Sequence, residues 1–404
     1  MSCYQILLKC VLMRNFILSA FMLAGAAIGG GVLALPILAA GPGVMNTLFF
    51  ITFTYVLAYW IAVISIDVYA RYESHEVNAA TLATDFFGKK GYVIATVINV
   101  LSIGSLAAAY VNAGGDLLVK TVLPHFNIQM RPEVGMILFF AAFFPAFVVG
   151  LGLISRLNGL IFTIKFACLA GGILFGLHLI NPAIFEFNFQ DLKYLGAGAS
   201  TMFCIWMMHM VLPLALRLND WCPKKTKLAV IAGLGIPAVA YVGWMFLIFS
   251  LVPRAEFLQL ETIGDVMHYA LYQPQVPKVI ATLVGIFASI TVLTAFLSIG
   301  FSLVAFVIDA LKWKNTPRSR LIATIISFTI PVIIAMSFPK AFAIIYQQSN
   351  MFQIAACLIP IAAAIKYNKE HKINNLQTWF VMIVGSGIIV SQILDNLKLL
   401  PIYN

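Results

Sequence analysis

The chain has 404 residues, of which 62% are hydrophobic and only 10% charged, with a net charge of +10. A soluble domain carries about 25% charged residues, so this composition cannot build an ordinary water-facing surface. The positive excess sits in short loops between apolar runs, not in a stripe or tail, which excludes nucleic-acid binding and leaves the bilayer as solvent.

Residues 1–14 carry Lys9 and Arg14 and are expected to form a cytoplasmic N-terminal segment. The apolar stretch at 15–40 is longer than the ~7–15-residue core of a cleaved signal, so it is read as an uncleaved first span. Within it lie Gly25, Ala26, Gly29, Gly30 and Gly31. Glycine costs about 1 kcal/mol against alanine in a helix interior, so four glycines in seven residues predict local unwinding. Unwound backbone survives in hydrocarbon only under cover of protein or a water-filled cavity. The half-helix after such a break aims free amides at an anion, and the half before it aims carbonyls at an ammonium group. A zwitterionic amino acid fits both ends. The competing reading is a small-residue face for helix packing.

Further spans are expected at 45–70, 91–120, 133–152 and 155–180, each near the ~20 residues that a ~30 Å core requires. Asp67 and Arg71, four apart at the end of the second, predict a local ion pair. Tyr110 puts a hydroxyl in the third span, within reach of a substrate carboxylate or a helix break. Lys165 lies in the middle of the fifth, where a charge costs roughly 2.5–3.5 kcal/mol on insertion scales. It is too far from either interface to snorkel, and a buried amine can exchange a proton during a transport cycle. A structural lysine bonded to helix-end carbonyls is the alternative.

The sixth span, 195–217, has a polar and aromatic centre with Phe203, Trp206, Met207 and His209, followed by Pro213. His209 is a candidate substrate or proton partner, and Phe203 and Trp206 are candidate walls of a side-chain pocket. Spans at 226–252, 276–311, 318–337, 340–365 and 376–398 complete the set. Thr294 and Ser298, four apart in the eighth, either back-bond to their own helix or face a cavity.

Eleven spans with a cytoplasmic N-terminus put 17 of the 25 Lys and Arg inside and 7 outside, with Lys165 alone in a span. This agrees with the positive-inside rule and sends the C-terminus to the periplasm. Five spans, five more and one extra is the pattern of an inverted-repeat transporter. The repeats would be 15–180 and 195–365, with 376–398 additional. The six cysteines show no metal-binding or disulfide spacing, so no metal or cofactor is implied.

The chain resembles the hydroxy/aromatic amino acid permease family, in its tryptophan/tyrosine branch, over about residues 15–400. The resemblance rests on LAGAAIGGGVLALP (23–36), AAYVNAGGDLL (108–118), NGLIFTIKF (158–166), HMVLP (209–213) and TAFLSIGF (294–301). It implies an all-α polytopic membrane protein of eleven helices with LeuT-like architecture. It also implies proton-driven uptake of aromatic, tyrosine-like amino acids across a bacterial inner membrane, with Lys165 in the place of a sodium ion between the first, fifth and eighth helices. Tyrosine-carrying members have a glycine two positions before the histidine of the sixth helix. Here that residue is Met207, which narrows or reshapes the pocket and leaves the substrate open.

Competing readings are sodium coupling, a serine, threonine or other neutral substrate, a channel or non-transporting sensor, and a membrane-embedded enzyme. The last would need convergent acids or metal ligands, and neither H-E-x-x-H nor a carboxylate cluster is present. The expected partners are a small amino acid and the lipid bilayer.

Overall fold

The computed structural model describes residues 3–72, 79–149, 151–260, 262–274, 276–371 and 375–401. Every regular element among them is helical. Hydrocarbon offers no water to backbone N–H and C=O groups, so each span must satisfy its own.

The chain runs through α1 (Cys3–Ala27), α2 (Gly31–Ala39), α3 (Val44–Tyr69), α4 (Ala79–Leu117), α5 (Pro132–Val149) and α6 (Leu151–Gly176). It continues through α7 (Leu195–Cys204), α8 (Leu212–Leu218), α9 (Pro223–Leu251), α10 (Ile263–Leu271), α11 (Lys278–Ala310), α12 (Pro317–Ser337), α13 (Phe342–His371) and α14 (Asn375–Asn396). Among the described residues nine helices are long and apolar enough to cross a membrane, and the bent pair α1 and α2 makes a tenth. α6 stands where the fifth span is expected. The chain alternates between a near face, where α1 begins, and a far face, where α2 ends.

The elements depart from the expected spans in three places. α1 begins at Cys3, so helix occupies most of the segment expected to precede the first span. α4 begins twelve residues before its expected start and bends at Gly88, whose φ of +67° lies in the region that favours glycine. The loop between α9 and α11 holds α10, capped by the reciprocal bonds of Thr262 and Asp265. The expected ion pair of Asp67 with Arg71 does not form. Asp67 binds Lys227 at 2.7 Å instead, and the Arg71 guanidinium lies 3.6 Å from the centroid of the Tyr367 ring. Tertiary partners outcompete a local spacing whose exposed pair is worth only a few tenths of a kcal/mol.

Lipid is as apolar as leucine, so helices associate through close packing and polar contacts, not through the hydrophobic effect. α1 and α9 touch nearly backbone to backbone, since a Cβ on Gly233 would lie 2.9 Å from the Ala20 carbonyl. Phe139 of α5, Phe147 of α5 and Phe328 of α12 surround Phe296 of α11 at centroid distances of 5.0, 5.4 and 5.5 Å. This aromatic block fixes α11 against the helices outside it. Cys168, Cys204, Cys222 and Cys357 are free thiols, and the side chains of Cys3 and Cys10 lie outside the described residues.

Candidate functional site

The first span breaks at the glycine run. α1 stops at Ala27, α2 starts at Gly31, and their axes differ by 48°. The interruption frees backbone groups that the helix would otherwise consume, and side chains from three other helices take them. The Lys165 amine of α6 donates to the Ile28 carbonyl at 3.0 Å and is 2% exposed. The Gly30 N–H donates to the Tyr110 hydroxyl of α4 at 3.2 Å. The Tyr241 hydroxyl of α9 lies 2.7 Å from the Ala27 carbonyl. Gly30 has to be glycine because Tyr110 is so close: a Cβ there would sit 2.4 Å from the Tyr110 Cε1.

The sixth span is broken as well. α7 ends at Cys204, residues 205–208 are non-helical, and a short 3-10 turn from His209 leads into α8. The Ile205 carbonyl meets the same Tyr241 hydroxyl at 3.0 Å, so one side chain touches both interruptions. The Trp206 indole N–H reaches the Ile51 carbonyl at 3.1 Å and the Thr54 hydroxyl at 3.0 Å on α3, while its ring meets Tyr55 and Tyr241 edge-on. Thr54 in turn donates to the Met202 carbonyl at 2.9 Å.

The break gathers Gly29, Gly30, Gly31, Tyr110 and Lys165, with Trp206 joined through Tyr241. Gly25 is half-buried and Ala26 exposed, both in the last turn of α1. Phe203 is fully buried in α7. The Met207 sulfur lies 2.8 Å from the Cys357 thiol and so faces α13. His209 is buried, and among the described residues neither ring nitrogen has a hydrogen-bond partner. Thr294 back-bonds to Ile290 and Thr291, whereas Ser298 is exposed.

Sequence reasoning missed Tyr241, Tyr346 and Thr54. Tyr346 of α13 packs edge-on against Tyr110, and its hydroxyl would meet a Cβ on Gly31 at 2.9 Å. A tyrosine within an apolar span is the one signal the sequence offered for each of the two.

Above the breaks, at the far face, the loop carrying α10 takes part in two polar clusters. Arg254 donates to Asp191 at 2.8 Å, to the Ala40 carbonyl at 2.6 Å, and also to the Gly41 carbonyl. Lys120 at the end of α4 meets Asp116 at 2.9 Å, Asp265 at 2.7 Å and the Thr262 hydroxyl at 2.7 Å. Asp116 also accepts from the Gly264 N–H at 2.7 Å. Burial pushes the Asp265 carboxyl up, but hydrogen bonds from Lys120 and Thr262 outweigh it and hold the group below the usual aspartate range. A cavity of about 890 Å³ opens at this face between Thr121 and Ser289 and includes neither break. Among the described residues no group of three or more His, Cys, Asp or Glu is placed to hold a metal ion.

Two interrupted spans that meet inside an all-α bundle define the class of discontinuous-helix membrane transporters. The chain matches the tryptophan/tyrosine permease family over residues 13–396 and belongs to that family. It is 26% identical to "Tyrosine-specific transport system 1" of Haemophilus influenzae, over 94% of this chain and 96% of that protein. It is 22% identical to "Glutamine transporter 2" of Aliivibrio fischeri, over 87% and 89% of the two chains. Among solved structures, MhsT in complex with L-phenylalanine superposes with a TM-score of 0.66 at 15% identity, covering 94% of this chain and 97% of that one. The fold is LeuT-like and multi-pass, and the protein is a permease, not an enzyme.

Proposed function

We propose that this permease is a proton-coupled symporter that imports a tyrosine-like aromatic amino acid by alternating access. The supporting observation is the contact of the Lys165 amine with the Ile28 carbonyl, at the break in the first span. A proton lost from that amine removes its charge and weakens its hold on the helix end, so protonation and the angle of α1 are linked. The substrate carboxylate is assigned to the Gly29, Gly30 and Gly31 amides together with the Tyr110 hydroxyl. The ammonium group is assigned to the Gly25 and Ala26 carbonyls in the last turn of α1, next to those that Tyr241 and Lys165 take, and the side chain to the region of Phe203, Trp206, Met207 and His209. Thr294 and Ser298 of α11 are assigned to the wall facing α6.

In this reading α1 to α6 form the first inverted repeat, α7 to α13 the second, and α14 is additional. The membrane is the bacterial inner membrane, and the near face is cytoplasmic, in keeping with the excess of basic loop residues there. The far face is then periplasmic and is closed by the loop carrying α10. A different neutral amino acid is the second reading, favoured by the Met207 sulfur packed on Cys357 where the pocket would otherwise deepen.

The experiment is uptake into proteoliposomes under an imposed pH gradient, with and without sodium. Lys165→Ala is expected to abolish accumulation while leaving the protein folded. Full accumulation by that variant, or an absolute need for sodium in the wild type, defeats the reading. Competition by the twenty amino acids identifies the ligand.

A further inference from the structure

The Tyr241 hydroxyl stands where the ends of α1 and α7, the two interrupted spans, face each other. Its oxygen is 2.7 Å from the Ala27 carbonyl and 3.0 Å from the Ile205 carbonyl, and Tyr241, Ala27 and Ile205 are all buried. Each carbonyl belongs to the C-terminal end of a half-helix, where a partial negative charge of about half an electron gathers. In an unbroken helix each would accept the N–H four residues on, from Gly31 and His209 respectively. Neither of those bonds is formed here; besides Tyr241, the Ala27 carbonyl accepts the Gly29 N–H at 2.9 Å, from two residues on. Two such ends converging on one buried point make a cation-coordinating arrangement, because unwound carbonyls and half-helix ends are what hold transported cations in discontinuous-helix proteins.

We infer that the Tyr241 hydroxyl is a built-in substitute for a cation at this point, tying the break in the first span to the break in the sixth. One phenolic proton, shared between the two carbonyls, supplies the positive end that a metal ion would otherwise bring. The ring is anchored so that the hydroxyl cannot swing away: it meets Trp206 edge-on with centroids 5.3 Å apart. Trp206 is itself fixed to α3 by its indole N–H. With Lys165 on the neighbouring Ile28 carbonyl, two consecutive carbonyls at the end of α1 are each covered by a donor from another helix. The inference deepens the proton-coupled reading, since it removes one place where sodium would bind and makes Tyr241 a positioning residue.

The test is a melting experiment on purified protein, with sodium chloride exchanged for choline chloride at constant ionic strength. Tyr241→Ser removes the ring, takes its hydroxyl away from both carbonyls and opens room beside them. Tyr241→Phe keeps the ring volume in place and leaves no room for an ion. Sodium is expected to raise the melting temperature of Tyr241→Ser by roughly 2–4 °C and to leave the wild type and Tyr241→Phe unmoved. An equal rise in the wild type, an equal rise in Tyr241→Phe, or no rise in any of the three overturns the inference. Should Tyr241→Ser fail to fold, Tyr241→Asn replaces it, with the same outcomes. The readout needs neither substrate nor a gradient, so it succeeds or fails separately from the uptake experiment.

Discussion

Gly30→Ala tests the geometry of the break most directly. Gly30 has φ −61° and ψ −16°, a conformation that alanine adopts freely, so the backbone gives no reason for a penalty. The penalty comes from a neighbour: the new Cβ would lie 2.4 Å from Tyr110 Cε1 and 3.1 Å from its hydroxyl oxygen. Tyr110 is 3% exposed and packs against Tyr346, so the ring has nowhere to retreat. Overpacking of this kind costs about 1–3 kcal/mol, and displacing the Gly30 to Tyr110 hydrogen bond adds about 0.5–1.5 kcal/mol. Opposing this, alanine reduces the freedom of the unfolded chain and gains about 0.4–1 kcal/mol. The net expectation is a loss of roughly 0.5–4 kcal/mol, seen as a melting temperature lower by several degrees in detergent and as reduced uptake. In a Tyr110→Ala background the clash is gone, and Gly30→Ala should become neutral or slightly stabilising. An equal cost in both backgrounds would show that Tyr110 is not the obstacle, and the reasoning would fail.

Lys120→Ala should loosen the far-face closure. It strands the Asp116 carboxylate, 2% exposed, and the loss reaches up to about 3 kcal/mol, the low end for a broken buried pair because Lys120 is itself 25% exposed. Melting temperature and the labelling rate of a cysteine placed on α2, probed with a membrane-impermeant thiol reagent, check this; unchanged labelling counts against a closing role. Asp265 makes the closure acid-sensitive. A carboxyl held low adds stability above its unfolded value of about 3.9 and loses it as pH falls through the lower folded value. Melting temperature should therefore fall steeply only below about pH 4, and Asp265→Asn should flatten that slope. Met207→Gly removes the sulfur that packs on Cys357 and should raise the uptake of tyrosine relative to smaller neutral amino acids by about tenfold, measured by competition.

The spans were legible because apolar runs of sufficient length have no other stable home than a bilayer. The first break was legible because Gly25 to Gly31 is too glycine-rich for an uninterrupted helix, and Lys165 because a mid-span charge needs a nearby acceptor. The sixth span gave a weaker sign, a polar centre followed by Pro213 where an inverted repeat expects its second break, and the contacts of Ile205 and Trp206 fix where the gap lies. Tyr241 could not be read, since its two acceptors are 214 and 36 residues away and a tyrosine in an apolar span looks like packing. α10 was hidden for the opposite reason: its nine residues are too few for a span, and the surrounding loop is polar and proline-bearing. Asp67 was assigned the wrong partner because a four-residue spacing says nothing about Lys227, which lies 160 residues on.

The last helix has a bearing on how the molecule is made. Ser391 of α14 donates to the Gly196 carbonyl of α7 at 3.0 Å, and Ser200 of α7 donates to Gln392. The half-helix that leads into the second interruption is thus moored to a helix made 192 to 195 residues later. Until α14 has been inserted the mooring is missing, so the second interruption takes its final shape only after the bundle around it has been made.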